Sequence, residues 1–349
     1  MAVYTTIDDP SVYFRVKLFA GNGGTQSITF DETDTNMQPD LVWIKNREHA
    51  NHHVFFDAVR GTSKVLYGNL TNAEATVTGV TAFDSNGFTL GNDSDTNRSS
   101  NSHIAWCFKA NGSGSANTEG NTDTTISANT TAGFSIIDGC DNLNDDDTFG
   151  HGLTSAPNMV WLKRVDDTSG WRVFYTGITS GSTLVLHDTD AVHSDNDCIK
   201  SVSSTLITIK GSGTGGSQGS GQNVAYAFQN VQGYSKVGTY EGNGNDPNGP
   251  YIHLGFSASV IIIKRTDSAD DWKVHTKKVE VHNPLNQSVK INSNVAEATE
   301  TDHEIDFLSN GFKLRENNSA FNADGGGYLY MAWADSTFVN SNGVPNNAQ

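Results

Sequence analysis

The chain is short of cysteine, of positive charge and of long apolar runs, and each shortage excludes a class of protein. Its three cysteines, Cys107, Cys140 and Cys198, are an odd number at wide spacing with no CxxC pair. That argues against a zinc ribbon, a redox dithiol and a disulfide scaffold. Lys and Arg number 22 against 39 Asp and Glu, for a net charge of −17. A binder that neutralises nucleic-acid phosphates is therefore not expected. The longest apolar run, Ala258-Ser259-Val260-Ile261-Ile262-Ile263, is strand length and falls far short of the roughly 20 residues of a membrane span. Residues Met1 to Asp9 carry neither a basic stretch nor an apolar core, so no signal peptide is expected.

What is present is glycine, small polar residues and aromatics. The 349 residues include 35 Gly, 17 Phe, 10 Tyr and 6 Trp, and only 17% are charged. This composition suits many short strands joined by polar turns, with rings large enough to build real cores.

One pattern occurs three times. An apolar strand ending in lysine reads Leu41-Val42-Trp43-Ile44-Lys45, Met159-Val160-Trp161-Leu162-Lys163 and Val260-Ile261-Ile262-Ile263-Lys264. Eight residues after each lysine stands a ring (His53, Trp171, Trp272), and ten residues after it an apolar side chain (Phe55, Val173, Val274). Twenty-one residues after it stands a leucine (Leu66, Leu184, Leu285), which predicts a gapless repeat over this stretch. Asn86-Gly87-Phe88-Thr89-Leu90 matches Asn310-Gly311-Phe312-Lys313-Leu314, with Thr205-Leu206-Ile207-Thr208-Ile209 as a degenerate middle version. Each copy closes on an apolar strand, 104–108, 224–228 and 331–334, with Trp106, Tyr226 and Trp333 aligned 61, 63 and 69 residues after the lysine.

Alternating apolar and polar runs between Gly, Asn, Asp and Ser clusters are the antiparallel β signal. The closing strands are nearly all apolar, as expected of central strands covered on both sides. The best helical candidate, Asn72 to Thr76, is at most one turn. The chain therefore reads as all-β, with three tandem antiparallel β-sandwich domains of jelly-roll or lectin-like type. The expected organisation is an N-terminal docking segment at 1–11 and repeats at 12–110, 132–230 and 231–338. A flexible Gly/Ser/Asn/Thr linker is expected at 111–131, and a polar C-terminal tail at 339–349.

Several motifs match a chemistry on paper. Gly211-Ser212-Gly213-Thr214-Gly215-Gly216 fits GxGxxG, and Gly215-Gly216-Ser217-Gln218-Gly219 fits GxSxG. Both mechanisms need a helix directly after the loop, and the following Ser217-Gln218-Gly219-Ser220-Gly221 does not start one. Asp93-Ser94-Asp95-Thr96-Asn97 resembles half a calcium loop, but Arg98 and Ile104 occupy the glycine and glutamate positions. Asp141-Asn142-Leu143-Asn144-Asp145-Asp146-Asp147 reads, like the Asp93 loop, as a solvated acidic loop, with weak cation binding such as calcium as the lesser reading. In His49, His52 and His53, adjacent strand side chains point to opposite faces, and His53 aligns with Trp171 and Trp272. These three positions read as packing, with glycan stacking by either tryptophan as the lesser reading. No pair of carboxylates stands out for glycosidase chemistry. No catalytic, cofactor-binding or metal-ligating residue is assigned, and no cofactor is expected.

The two ends and the repeat motif together resemble a known group. Thr5-Thr6-Ile7-Asp8-Asp9-Pro10-Ser11-Val12-Tyr13-Phe14, leading to Gly21-Asn22-Gly23, is similar to the start of many virion proteins of marine tailed bacteriophages. The run Pro39 to Arg47, then Phe56-Asp57-Ala58-Val59-Arg60-Gly61, resembles the repeat motif of those proteins. Met331-Ala332-Trp333-Ala334-Asp335 and Phe338 to Pro345 are similar to their usual ending, although Gln349 stands where an arginine is usual. The resemblance implies a non-enzymatic structural protein of the virion, assembled in the host cytoplasm. As an expectation, it is a fibre or receptor-binding element that contacts host surface glycans through weak multivalent sites. Its partners are other virion proteins and further copies of itself, with a trimer as the guess, and neither nucleic acid nor a membrane. A head decoration or tail-assembly role without ligand binding is the alternative, and a polysaccharide-degrading enzyme the remote one.

Overall fold

The computed structural model describes residues 5–31, 35–196, 198–211, 221–340 and 342–345. The described residues are strands and turns, apart from a 3-10 turn at Pro10–Val12 and single helical turns at Ser94–Asn97 and Ser319–Asn322. Asn72 to Thr76 is not helical; Ala75–Thr76 is a short strand.

Each lysine strand lies inside a sheet with both neighbours antiparallel. In the first repeat the order is Phe14–Ala20, Ser102–Phe108, Leu41–Asn46, Val54–Asp57, Lys64–Tyr67, Ala75–Thr76. The third repeat follows the same order with Ser235–Glu241, Gly327–Thr337, Phe256–Arg265, Lys273–Thr276, Gln287–Lys290 and Ala298–Thr299. In the second, Phe134–Asp138, Asn223–Phe228, Met159–Arg164 and Arg172–Tyr175 take the first four places. Its sheet is extended on the other side by Thr124–Asn129 and Ser115–Asn117. The segment expected as a flexible linker thus contributes two strands. Thr124 and Ser127 are buried there, and Ile126 packs against the second repeat's core.

Strand periodicity explains why the lysine strands are buried on both faces. Leu41 and Trp43 face one core, while Val42 and Ile44 face another. The second core holds Ile28, Val80, Phe88 and Leu90 from a three-stranded sheet, Gln26–Thr29, Gly87–Leu90, Val80–Asp84. The second repeat does the same with Met159 and Trp161 on one side and Val160 and Leu162 on the other. Its small sheet is Thr148–Gly150, Leu206–Lys210, Cys198–Val202, and that of the third repeat is Tyr251–His253, Gly311–Leu314, Ile305–Leu308. Side chains facing the small sheets from the closing strands are small, as with Ala105, Cys107, Ala225 and Ala227. The opposite faces of all three large sheets share one core.

Strand register corrects two of the alignments. Phe55 pairs with Leu66 and Val173 bridges Leu184, but Val274 pairs with Val289. Leu285 instead bridges Ile305, so the third copy carries an insertion that its leucine conceals. Trp333 sits opposite Val260, the place held by Phe108 opposite Leu41 and by Phe228 opposite Met159. The partner that matches Trp106 and Tyr226 is Met331, opposite Ile262.

With these corrections the contacts between repeats form a closed cycle. The ammonium of Lys163 donates to the Thr71 carbonyl of the first repeat at 3.2 Å. That of Lys264 donates to Thr189 of the second at 3.0 Å, and that of Lys45 to Asn294 of the third at 3.2 Å. All three lysines are fully buried. The aligned rings repeat the pattern: Trp171 Nε1 donates to the Tyr67 carbonyl and Trp272 Nε1 to Val185, each at 2.8 Å. His53 lies against the backbone of Lys290. The amides of Glu74, Val192 and Glu297 donate to the carbonyls of Val165, Thr266 and Arg47. The lysine and tryptophan donors thus run one way around the cycle, and these amide donors run the other way, so each repeat is bonded to both neighbours. At the centre Phe108, Phe228 and Trp333 form a triangle with ring centroids 5.1 to 5.9 Å apart.

The N-terminal segment belongs to this core. Ile7 is buried in it, and Thr5 Oγ1 donates to the Gln232 carbonyl at 2.8 Å. Described residues of the expected docking segment are therefore packed on the chain itself.

Candidate functional site

Positions alike in all three repeats are explained by folding, so a site is best sought where one repeat departs from the others. Twelve and fifteen residues after the lysine, the second repeat has Tyr175 and Ile178 and the third has Thr276 and Val279. The first repeat has Asp57 and Arg60. Both lie at the contact between the first and second repeats.

Asp57 ends the strand Val54–Asp57 and turns the chain. Its Oδ1 accepts from the amides of Val59 and Arg60 at 3.1 and 2.9 Å. Its Oδ2 accepts from Arg60 Nε at 2.6 Å and from the Tyr226 hydroxyl of the second repeat at 2.7 Å. Arg60 Nη1 reaches Glu74 at 2.8 Å, and Lys64 reaches the other oxygen of Glu74 at 2.8 Å. The side chains of Asp57 and Arg60 are 0% and 3% exposed. Burial opposes the guanidinium charge, but Asp57, with Glu74 behind it, outweighs burial and holds the arginine more firmly protonated than usual. Burial, reinforced by Asp57, pushes the Tyr226 phenol well up.

This network floors a cleft of about 180 Å3 lined by Arg60, Lys64, Glu74, Asp138, Gly139, Asp141, Val165 and Gln222. Burial, then the nearby Asp57, pushes the Asp138 carboxyl up to about 6. Burial also raises Asp141, which accepts from the Asn223 amide at 3.0 Å. The cleft is polar on nearly every side, and a strongly perturbed acid beside a buried charge network is a general mark of a binding site. Chemically it can accept hydrogen bonds from hydroxyl or ammonium groups.

The residues weighed from the sequence lie elsewhere. His53 is buried and its Nδ1 accepts from Trp43 Nε1 at 3.0 Å, whereas His52 Nδ1 meets Asn69. His49 is exposed, and its carbonyl accepts from Lys45. Trp171 and Trp272 are buried and unavailable for stacking. Tyr251, at 46%, is the one aromatic among the exposed large hydrophobic side chains of the described residues. Asp93 caps the helical turn Ser94–Asn97, and Asp95 accepts from Asn51 and the His52 amide. In the acidic loop, Asp147 accepts from the Asn144 amide and Asp146 pairs with Lys200. Residues 212–220, which carry most of the GxGxxG match and Ser217, lie outside the described residues. Among the described residues no group of three His, Cys, Asp or Glu has the geometry to hold a metal ion. Cys107, Cys140 and Cys198 are buried, and among the described residues no helix is long and apolar enough to cross a membrane. Sequence reasoning passed over Asp57 and Arg60 as part of a motif; their charge at positions that are uncharged in the other repeats was the available signal.

Residues 9–337 match the family model described as a domain of unknown function, DUF7483. No curated protein and no solved structure matches the chain. The match spans nearly the whole chain, which belongs to that family.

Proposed function

We propose that this DUF7483 member is a structural protein of a bacteriophage virion surface, built of three tandem lectin-like β-sandwiches. In this reading it serves as a fibre or receptor-binding element that touches host surface glycans. The observation that carries the reading is the closed cycle of contacts among the repeats, from Lys45, Lys163 and Lys264 to the aromatic triangle. Such a ring displays three similar outer surfaces from one rigid body, which suits multivalent contact without tight individual sites. Assembly of further copies, as a trimer, multiplies that display. The resemblance of the chain's ends to marine phage virion proteins supplies the setting, and the charge of −17 keeps copies apart until they are docked.

The alternative, a head decoration or tail-assembly protein without a ligand, draws support from the burial of Trp171 and Trp272. Cryo-EM of the intact particle separates the two. Density projecting from the tail or vertices supports adhesion. Density lying flat in the capsid or tail wall supports decoration. Absence of the chain from the particle would overturn both.

A further inference from the structure

The cleft between the first and second repeats is unbalanced in charge. Arg60 and Lys64 are taken up by Asp57 and Glu74. No ion pair joins Asp138 or Asp141 to a cation among the described residues. The two belong to the second repeat and line the cleft opposite groups of the first. A half-buried carboxylate facing a polar cavity is stabilised by any cation that enters with its own hydrogen bonds. A metal ion is a poor fit, because no three donors here are placed to hold one. An apolar amine is also a poor fit, because Val165 is the one apolar side chain in the lining. The volume of about 180 Å3 is below the roughly 300 Å3 of a drug-sized pocket and suits a single small ring.

We propose that this cleft binds an amino sugar unit, with its ammonium group on Asp138 and its hydroxyls on Asp141, Gln222 and Glu74. The inference rests on the glycan-contacting reading above and gives it a place and a ligand class. The second and third contacts between repeats lack the charged pair, so one site per chain is expected.

The test is calorimetric titration of the full chain with a glucosamine hexamer, its N-acetylated counterpart and a glucose hexamer. The glucosamine hexamer should bind, and the other two should bind about tenfold more weakly or less, as expected for loss of one charge-assisted hydrogen bond. Asp138→Asn should cost about tenfold in affinity. Lys64→Ala should tighten binding, because it removes a cation from the rim, and a folding defect cannot mimic a gain. Equal binding of all three hexamers, or unchanged binding by Asp138→Asn, would overturn the proposal. So would displacement by N-acetyl-lysine amide as effective as that by free glucosamine. A chain located in the virion that fails these titrations overturns this site alone. A chain missing from the virion overturns the functional reading beneath it.

Discussion

At the scale of single residues, the buried lysines are the most consequential side chains. Lys163 is fully buried and donates to carbonyls of its own repeat and of the first. Replacing it with methionine keeps the volume but leaves these carbonyls without a donor. Lys163→Met should destabilise the chain by about 1–3 kcal/mol, the range for leaving a buried acceptor unsatisfied. Lys45→Met and Lys264→Met should fall in the same range by denaturant titration; losses under about 1 kcal/mol would contradict the account. The buried histidines set the acid sensitivity. Burial, with His303 and Lys273 nearby, pushes His275 down to about 3, and burial first of all lowers the buried His103 and the half-buried His187 to about 4. An unfolded histidine takes up its proton near 6.5 and these do not. The stability they contribute is therefore fully present above pH 6.5 and lost as pH falls toward 3 to 4. Asp138 acts in the opposite sense, because its raised carboxyl favours the folded state only at pH below about 6. His275 stands where the other repeats have Phe56 and Phe174. His275→Phe should therefore leave stability at pH 7 intact and reduce the loss of melting temperature between pH 7 and pH 5. An unchanged pH slope would show that His275 does not contribute to it.

At the scale of elements, the Asn-Gly-Phe signature has a steric cause. Gly87 has φ +136°, and a Cβ there would stand 2.0 Å from the Ile28 carbonyl oxygen of the adjoining strand. A Cβ at Gly311 would stand 2.2 Å from the Ile252 oxygen. Gly311→Ala should cost about 2–3 kcal/mol in a thermal or denaturant melt, and a neutral result would remove the steric argument. The all-β class, the lysine strands and the paired signature were legible in the sequence, because strand alternation and glycine turns are local. Two alignments were not. Leu285 fell at the expected spacing by coincidence while Val289 took the structural position, and Trp333 matched by residue type rather than by register. The strands at 115–117 and 124–129 were hidden by a composition that looks like a linker; pairing with Phe134–Asp138 decides their state.

At the scale of the whole molecule, the cycle of contacts was invisible because its acceptors are backbone carbonyls of Thr71, Thr189 and Asn294. Any residue type supplies those. The cleft was half legible: Asp57 and Arg60 stand out once the repeats are aligned, but Tyr226, Asp138 and Gln222 reach the cleft only through the packing of two repeats. The first and third repeats, far apart in the chain, are held by Arg47 on Glu297 at 2.6 Å and by Lys45 on Asn294. Reversing one charge with Arg47→Glu should loosen that contact while the other two persist, giving a larger radius in solution with little change in strand content by circular dichroism.

The measurement that tests the closed ring most directly is small-angle X-ray scattering from the full chain. A closed cluster of this length should have a radius of gyration of about 20 Å. Three repeats in an extended row should exceed about 30 Å, and that result would contradict the account.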